Sequence, residues 1–298
     1  TGLELYIGNI QRNQAALAQA GRELPVEVKV VSTDGSQDVG IRIEKSKVEG
    51  LLAAGVKSPV YSVQIAGNID PVNQVEPVKA CDTSLSGINT LDGFTFAEKG
   101  SFTFAQGYDG SFVESQEPVC ILSSSYAAFH DLKLGDSLEL PVYSINYDQT
   151  GYSFQFESLG TVSLKVIGMF EETAGGQSTV NGIVPIAWVQ ALFEENGRGF
   201  FYHSFQGFVG DPLDLNNFKA AVEKLGFREV NPSAGDSRTG NALEIQDKVF
   251  RETAERLQEN IRTFQVFAPA VCVLLCVLIL ITSFFILRSS RKDIAIAS

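Results

Sequence analysis

Apolar and polar positions along the chain change period several times. Leu3, Leu5, Ile7, Ile10 and Leu17 lie in a window rich in Ala, Gln and Asn, which predicts an amino-terminal helix over 1–22 closing near Gly21. Val26-Glu27-Val28-Lys29-Val30-Val31 then alternates with period two before Thr33, Asp34 and Gly35, the pattern of a strand and its turn. Ile41, Val48, Leu51 and Leu52 predict a helix ending at Gly55, and Pro59-Val60-Tyr61-Ser62-Val63-Gln64-Ile65 a second strand. Over 88–166 the composition shifts to Gly, Ser and Phe with short strands and one small helix around 124–130. A hairpin is expected there, joining 138–147 to 152–157 through Asp148-Gln149-Thr150-Gly151. A new strand is expected to open at Thr161 after Gly160 and run to Phe170, and Gly175-Gly176 break the pattern after it. Strand Gly182-Ile183-Val184-Pro185, a helix over 187–195, a strand over 202–209 and a helix with Leu215, Phe218, Val222 and Leu225 on one stripe restore the α/β rhythm, with Gly226 as the stop.

Two long patterns close the chain. Asn241 with Glu244 three residues on resembles a capping box, and Leu243, Phe250, Ala254, Leu257, Ile261 and Phe264 follow at spacings of three, four and seven. This predicts an amphipathic stalk helix over 241–265. The stretch 266–287, from Val266 to Leu287, then runs 22 residues without a charge, enough for a helix to cross about 30 Å of hydrocarbon. Pro269 removes the bond to the carbonyl of Gln265 and is the expected kink. The pattern as a whole predicts an α+β fold. It comprises a discontinuous, porter-like α/β subdomain over 23–87 and 167–240, an inserted β-rich subdomain over 88–166, the stalk, one transmembrane helix, and a cytosolic segment beginning at 288–298.

Charge orients the span. Arg288, Arg291 and Lys292, with Asp293 beside them, sit just past the apolar run, so that end is expected in the cytosol and residues 1–265 outside a bacterial cell membrane. Without those four, the chain's 23 basic and 35 acidic residues become 20 and 34, a net of −14 that argues against a nucleic-acid partner. Met169 is the only Met, so the chain reads as a piece of a longer protein. Cys272 and Cys276 fall within the span. Cys81 and Cys120 are outside it, where an exported domain could join them as a disulfide, although Cys120 in Pro118-Val119-Cys120-Ile121-Leu122 also suits a buried strand thiol.

Motifs for chemistry are absent: no GxxxxGK[ST], HExxH, GxSxG or Rossmann fingerprint is present. Ser123-Ser124-Ser125 reads as a helix cap, Glu171-Glu172 and Glu194-Glu195 as solvated pairs, His130 and His203 as ordinary surface or semi-buried histidines, and Trp188 as core. No catalytic, cofactor or metal residue is therefore assigned, and the chain is not expected to be an enzyme.

Four stretches together resemble the FtsX-like permease family, which includes the MacB-type and LolC/LolE-type ABC transporter permeases. They are Val119-Cys120-Ile121-Leu122 with Ser125-Tyr126-Ala127 and Leu134-Gly135-Asp136-Ser137-Leu138; Ile183-Val184-Pro185-Ile186 with Gln190-Ala191-Leu192-Phe193; the stalk feeding a span; and Arg291-Lys292-Asp293-Ile294-Ala295-Ile296. The last is similar to the Arg-Lys-Glu-Ile-Ala-Ile opening of the family's cytosolic coupling segment, with Asp293 in place of Glu. The resemblance implies further transmembrane helices outside this chain, a second permease copy, a separate ABC ATPase subunit that carries any ATPase activity, and mechanotransmission through the stalks. The ligand so implied is an amphiphilic peptide or lipid that is exported, extracted or sensed. A division-type FtsX protein that activates a cell-wall hydrolase, and the input domain of a membrane sensor, are the alternatives.

Overall fold

The computed structural model describes residues 2–74, 77–92, 101–147, 153–172, 180–235 and 237–296. In chain order its elements are α1 (Gly2–Glu23), β1 (Glu27–Ser32), β2 (Ile43–Glu44), α2 (Lys45–Ala53), β3 (Val56–Gly67), β4 (Thr83–Ile88), β5 (Thr103–Phe104), β6 (Val119–Ser123) and α3 (Ser124–Phe129). Then follow β7 (Ser137–Tyr147), β8 (Phe154–Phe170), β9 (Gly182–Pro185), α4 (Ile186–Glu195), β10 (Phe201–Tyr202), β11 (Ser204–Val209), α5 (Leu215–Glu223), β12 (Asn241–Gln246) and α6 (Lys248–Ile296). The class is α+β, built on a large mixed sheet. Two compact units divide the chain: Glu27–Gln246 holds the sheet, and Thr1–Val26 with Asp247–Ser298 holds α1 and α6.

Within the sheet unit the strand order is β12-β1-β11-β3-β4-β9-β6-β8-β5, with β7 bridging β3 and β8. The pairings β3 to β4, β4 to β9, β9 to β6, β6 to β8, β8 to β7 and β7 to β3 close on themselves, giving a ring of six strands. β3 belongs to two systems, because one of its edges pairs with β11 over Val56 to Ser62 and with β7 over Ile65 to Gly67. From its first half β11, β1 and β12 extend as an open, antiparallel wing. β2 and β10 form a separate two-stranded ribbon.

Residues 88–166 were expected as an inserted subdomain, yet β6, β7 and β8 pair with β3 and β9 from the flanking segments and complete the ring. Two glycines permit that closeness: a Cβ on Gly182 would stand 2.8 Å from Leu85 Cδ2 and 2.9 Å from Leu122 Cδ2, and one on Gly67 would stand 2.4 Å from Leu140 Cδ1. The new strand expected at Thr161 is likewise not separate. β8 continues through Gly160, where Pro141 pairs with Thr161 but Tyr143 with Ser158, so Leu159 and Gly160 form a bulge that the positive φ of Gly160 accommodates. The ring is packed by apolar side chains: Ile88, Val119, Ile121, Ile167, Phe170 and Ile183 form one cluster with Phe112 and Val113. Each such side chain contributes about 1.5–3 kcal/mol by leaving water.

Cys81 and Cys120 are both free thiols, which overturns the disulfide considered for them. Cys120 is enclosed in β6, between β9 and β8, and burial pushes its thiol up to about 12. Cys81 instead packs beside Ala66, Val78 and Tyr143, and burial followed by the charge of Asp82 pushes it up to about 11. Neither thiol is poised to ionise, and the thiolate is the form that exchanges.

Candidate functional site

In the helical unit α1 and α6 pack against each other. On α6, Phe250 and Ala254 are buried and Leu257, Ile261 and Phe264 are half-buried, whereas Arg251, Glu252, Glu255, Arg256 and Glu259 are exposed. The spacings of three and four put the protected residues on one helical face. On α1, Ile10, Asn13 and Leu17 are half-buried and Ala20 is buried. Arg251 and Glu255 meet at 3.8 Å on the polar side of α6.

Leu243, expected on that face, is not in the helix. Asn241–Gln246 is strand β12, registered against β1 from Glu27 opposite Gln246 to Ser32 opposite Asn241. Leu243 and Ile245 alternate with Glu244 and Gln246, a period-two pattern that fits an edge strand as well as a helix start. The unpaired side of β1 selects the strand. The capping box consequently does not form: Asn241 Nδ2 donates to Arg42 O at 2.9 Å and its Oδ1 accepts from Lys47 Nζ at 3.4 Å. The helix begins only at Lys248.

Beyond Phe264 the helix carries on without a break through Pro269 to Ile296, so the apolar stretch from Val266 to Leu287 and the positions of Arg288, Arg291, Lys292 and Asp293 share one element. Its 49 residues are equivalent to about 70 Å at 1.5 Å per residue. It is the one helix among the described residues long and apolar enough to cross a membrane. Val266, Phe267, Leu274, Leu280, Phe284 and Ile286 are all more than half exposed, around the whole circumference. Thr282 is tolerated there because its hydroxyl donates to Ile279 O at 2.9 Å.

Chain connectivity links this helix pair to two neighbouring strands. Only Leu24, Pro25 and Val26 separate α1 from β1, and only Asp247 separates β12 from α6. Because β1 and β12 are antiparallel, the two helices continue the same end of one strand pair, at Glu27 and Gln246.

The sheet unit contains a second candidate, an open cavity of about 360 Å³ between the loop segments 68–74 and 77–82 on one side and α3 on the other, lined by Asp70, Asn73, Asp82, Ser125, Tyr126, Phe129, His130 and Asn181. The loop is organised by Asn68 and Asp82. Asn68 is fully buried, donates to Asn73 O and Ala80 O and accepts from Asp82 N. Asp82 accepts from Ile69 N, Asp70 N, Thr83 Oγ1 and Asn73 Nδ2 at 2.7–3.3 Å. Burial alone would raise its pKa, but the hydrogen bonds, led by those from Asp70 and Ile69, outweigh it and hold the pKa below the usual carboxylate range. The opposite wall is α3, whose first turn is capped by Ser123 Oγ accepting from Tyr126 N, as expected for the serine run. Ser124 and Ser125 donate to Glu171 and Glu172 at 2.7 Å. Tyr126 OH and Thr83 Oγ1 share a 2.6 Å hydrogen bond across the floor, and burial pushes the phenol up to about 12. The His130 ring lies 4.5 Å from that of Tyr126 and 4.9 Å from that of Phe129, and Phe129 itself is 84% exposed. Sequence reasoning missed this cavity, since its lining comes from four separated segments; the only local sign was an apolar Phe129 at the solvent end of a short helix.

The two histidines differ. His203 is buried, its Nδ1 accepting from Gln64 N at 2.9 Å, and burial followed by the charge of Arg42 lowers its pKa to about 4. It serves the sheet as a neutral acceptor with its proton on Nε2. Trp188 is buried in α4.

No protein-family model and no curated protein matches the sequence. Among solved structures, the chain is similar to the periplasmic region of MacB from Actinobacillus actinomycetemcomitans, at 13% identity and a TM-score of 0.39, over 77% of this chain and 92% of that one. It is also similar to the extracellular domain of the noncanonic ABC-type transporter YknZ from Gram-positive bacteria, at 16% identity and a TM-score of 0.38, over 74% of this chain and 98% of that one.

Proposed function

We propose that this chain is the extracytoplasmic domain and following transmembrane helix of an ABC transporter permease subunit of the FtsX/MacB type. It couples ATP hydrolysis by a separate subunit to movement outside the membrane, for export, extraction or sensing of an amphiphilic ligand. The carrying observation is that α6 extends as one helix from Lys248, one residue past an edge strand, through an apolar stretch exposed on every side, to the basic flank of Arg288, Arg291 and Lys292. A continuous rod of that kind transmits displacement, and the positive flank orients it with the sheet unit outside. The chain itself contributes no catalysis; it supplies the moving domain, a second permease copy completes the pore, and the ATPase drives both.

The test is a paired assay on the reconstituted complex, recording ATP hydrolysis and substrate-linked activity for wild type and Ala254→Pro. Proline there removes a backbone bond and costs about 3 kcal/mol in the helix. Hydrolysis is expected to persist while the coupled activity fails. Full coupled activity, with circular dichroism showing an interrupted helix, would reduce α6 to a tether.

A further inference from the structure

We propose that the cavity between Asp70, Asn73 and Asp82 on one side and α3 on the other binds an organic cation: a primary ammonium or guanidinium group carried beside an apolar moiety. The inference names the ligand class within the functional reading above, and rests on that reading only for the ligand being met outside the membrane.

Charge selects the sign of the guest. Among the described residues, Asp70 and Asp82 line the cavity and no Lys or Arg does. A carboxylate or phosphate group would meet like charge at close range, whereas a cation gains from both. The two aspartates have different tasks. Asp82 spends both oxygens on four donors that shape the loop. Asp70 is exposed, and its Oδ1 accepts only from Val72 N at 2.9 Å, which leaves Oδ2 without a partner among the described residues. Asp70 is therefore the counter-charge the guest would meet.

The walls select an organic cation. No group of three or more His, Cys, Asp or Glu side chains among the described residues is placed to hold a metal ion. Instead the Phe129, His130 and Tyr126 rings form one continuous aromatic wall. Phe129 is 84% exposed. An exposed aromatic in the same cavity as an uncompensated carboxylate is the pairing that holds an ammonium or guanidinium by its charge and by the ring quadrupole, while the neighbouring apolar group covers Phe129. A cavity of about 360 Å³ has room for one such group and its alkyl stem.

Binding is measured by calorimetry on the full chain in phosphatidylcholine nanodiscs without the ATPase, so that a failure here is separate from a failure of coupling. The probe is acetyl-Phe-Lys-amide, compared with its ε-acetylated, uncharged counterpart and with glycerophosphoethanolamine as the headgroup source of an ammonium. The charged peptide is expected to bind, the other two at least about tenfold more weakly. Asp70→Asn, which keeps the acceptor for Val72 N, should weaken the peptide about tenfold, and Phe129→Ala about threefold. Both variants should keep the wild-type Tm, since neither side chain is buried. Equal binding of the neutral peptide, stronger binding of glycerophosphoethanolamine, no binding of the charged peptide, or wild-type affinity in both variants would each overturn the assignment.

Discussion

Leu122 in β6 is fully buried, while Leu280 in α6 is 69% exposed, although both lie in unbroken apolar runs of regular structure. The contrast extends to the units around them. In the sheet unit a ring of strands and its helices enclose most large apolar side chains, with scattered exceptions such as Val39, Leu213 and Phe129. In the helical unit the cover stops near Phe264, beyond which no described residue shields the helix. The protein thus closes one apolar surface with its own atoms and leaves another of the same composition to a different solvent. Hydrophobicity alone does not tell these apart; what does is whether neighbouring elements present a complementary face.

The comparison breaks most sharply on introducing a charge. Leu122→Asp would place an unpaired carboxylate in an interior strand and is expected to abolish the cooperative unfolding of the sheet, by more than the roughly 2–5 kcal/mol of a cavity-forming Leu→Ala change. Leu280→Asp should leave that unfolding unchanged and instead reduce membrane integration, at a cost of about 2.5–3.5 kcal/mol at the helix centre. Fluorescence of Trp188, the only Trp and a sheet-unit residue, reads the first effect; carbonate extraction of membranes reads the second. Identical behaviour of the two variants would erase the distinction.

A second difference is expected with pH. His203 titrates at about 4 in the fold against about 6.5 in the unfolded chain, so the unfolded state takes up the proton first. Stability of the sheet unit should therefore be complete above pH 6.5 and fall by roughly 3 kcal/mol as pH drops from 6.5 to 4. The loss attributable to Asp82, whose pKa is lowered, belongs below its ordinary value of 3.8 and does not overlap. His203→Asn, which retains an acceptor for Gln64 N, is expected to flatten the upper window in urea titrations followed by Trp188. An unchanged slope would assign the acid sensitivity elsewhere. The helical unit, with no histidine, should show no such window.

The smallest effect sharpens the polar side of α6. Glu255→Gln removes the exposed pair with Arg251 and should cost about 0.2–0.5 kcal/mol of helix stability, fading with added salt, as helicity by circular dichroism would record.

These contrasts also show where the sequence was legible. The long apolar helix, the α+β class and the common face of Phe250, Ala254, Leu257, Ile261 and Phe264 follow from local periodicity, because a helix lists its own face in its spacing. Leu243 was misassigned since its neighbourhood satisfies two periods at once, and the choice between them lies with β1, more than two hundred residues away in the chain. The ring was illegible for a related reason: closure depends on β7 reaching β3 and on β6 lying beside β9, pairings that leave no local trace. The cavity is hidden in the same manner, as Asp70, Tyr126, Phe129 and Asn181 converge only once those strands are paired.

The antiparallel alignment of β1 with β12 has a mechanical consequence. Since both helices leave from the Glu27 and Gln246 end, spreading α1 from α6 would load the strand pair like a zipper, opening one rung at a time from Glu27 opposite Gln246 toward Ser32 opposite Asn241. Sliding one helix lengthwise past the other would instead load all rungs together, in shear, where the ladder resists collectively. On the coupling proposed above, a drive that slides the helices would pass force into the wing with the ladder intact, whereas one that splays them would unfasten β12, an edge strand outside the six-stranded ring.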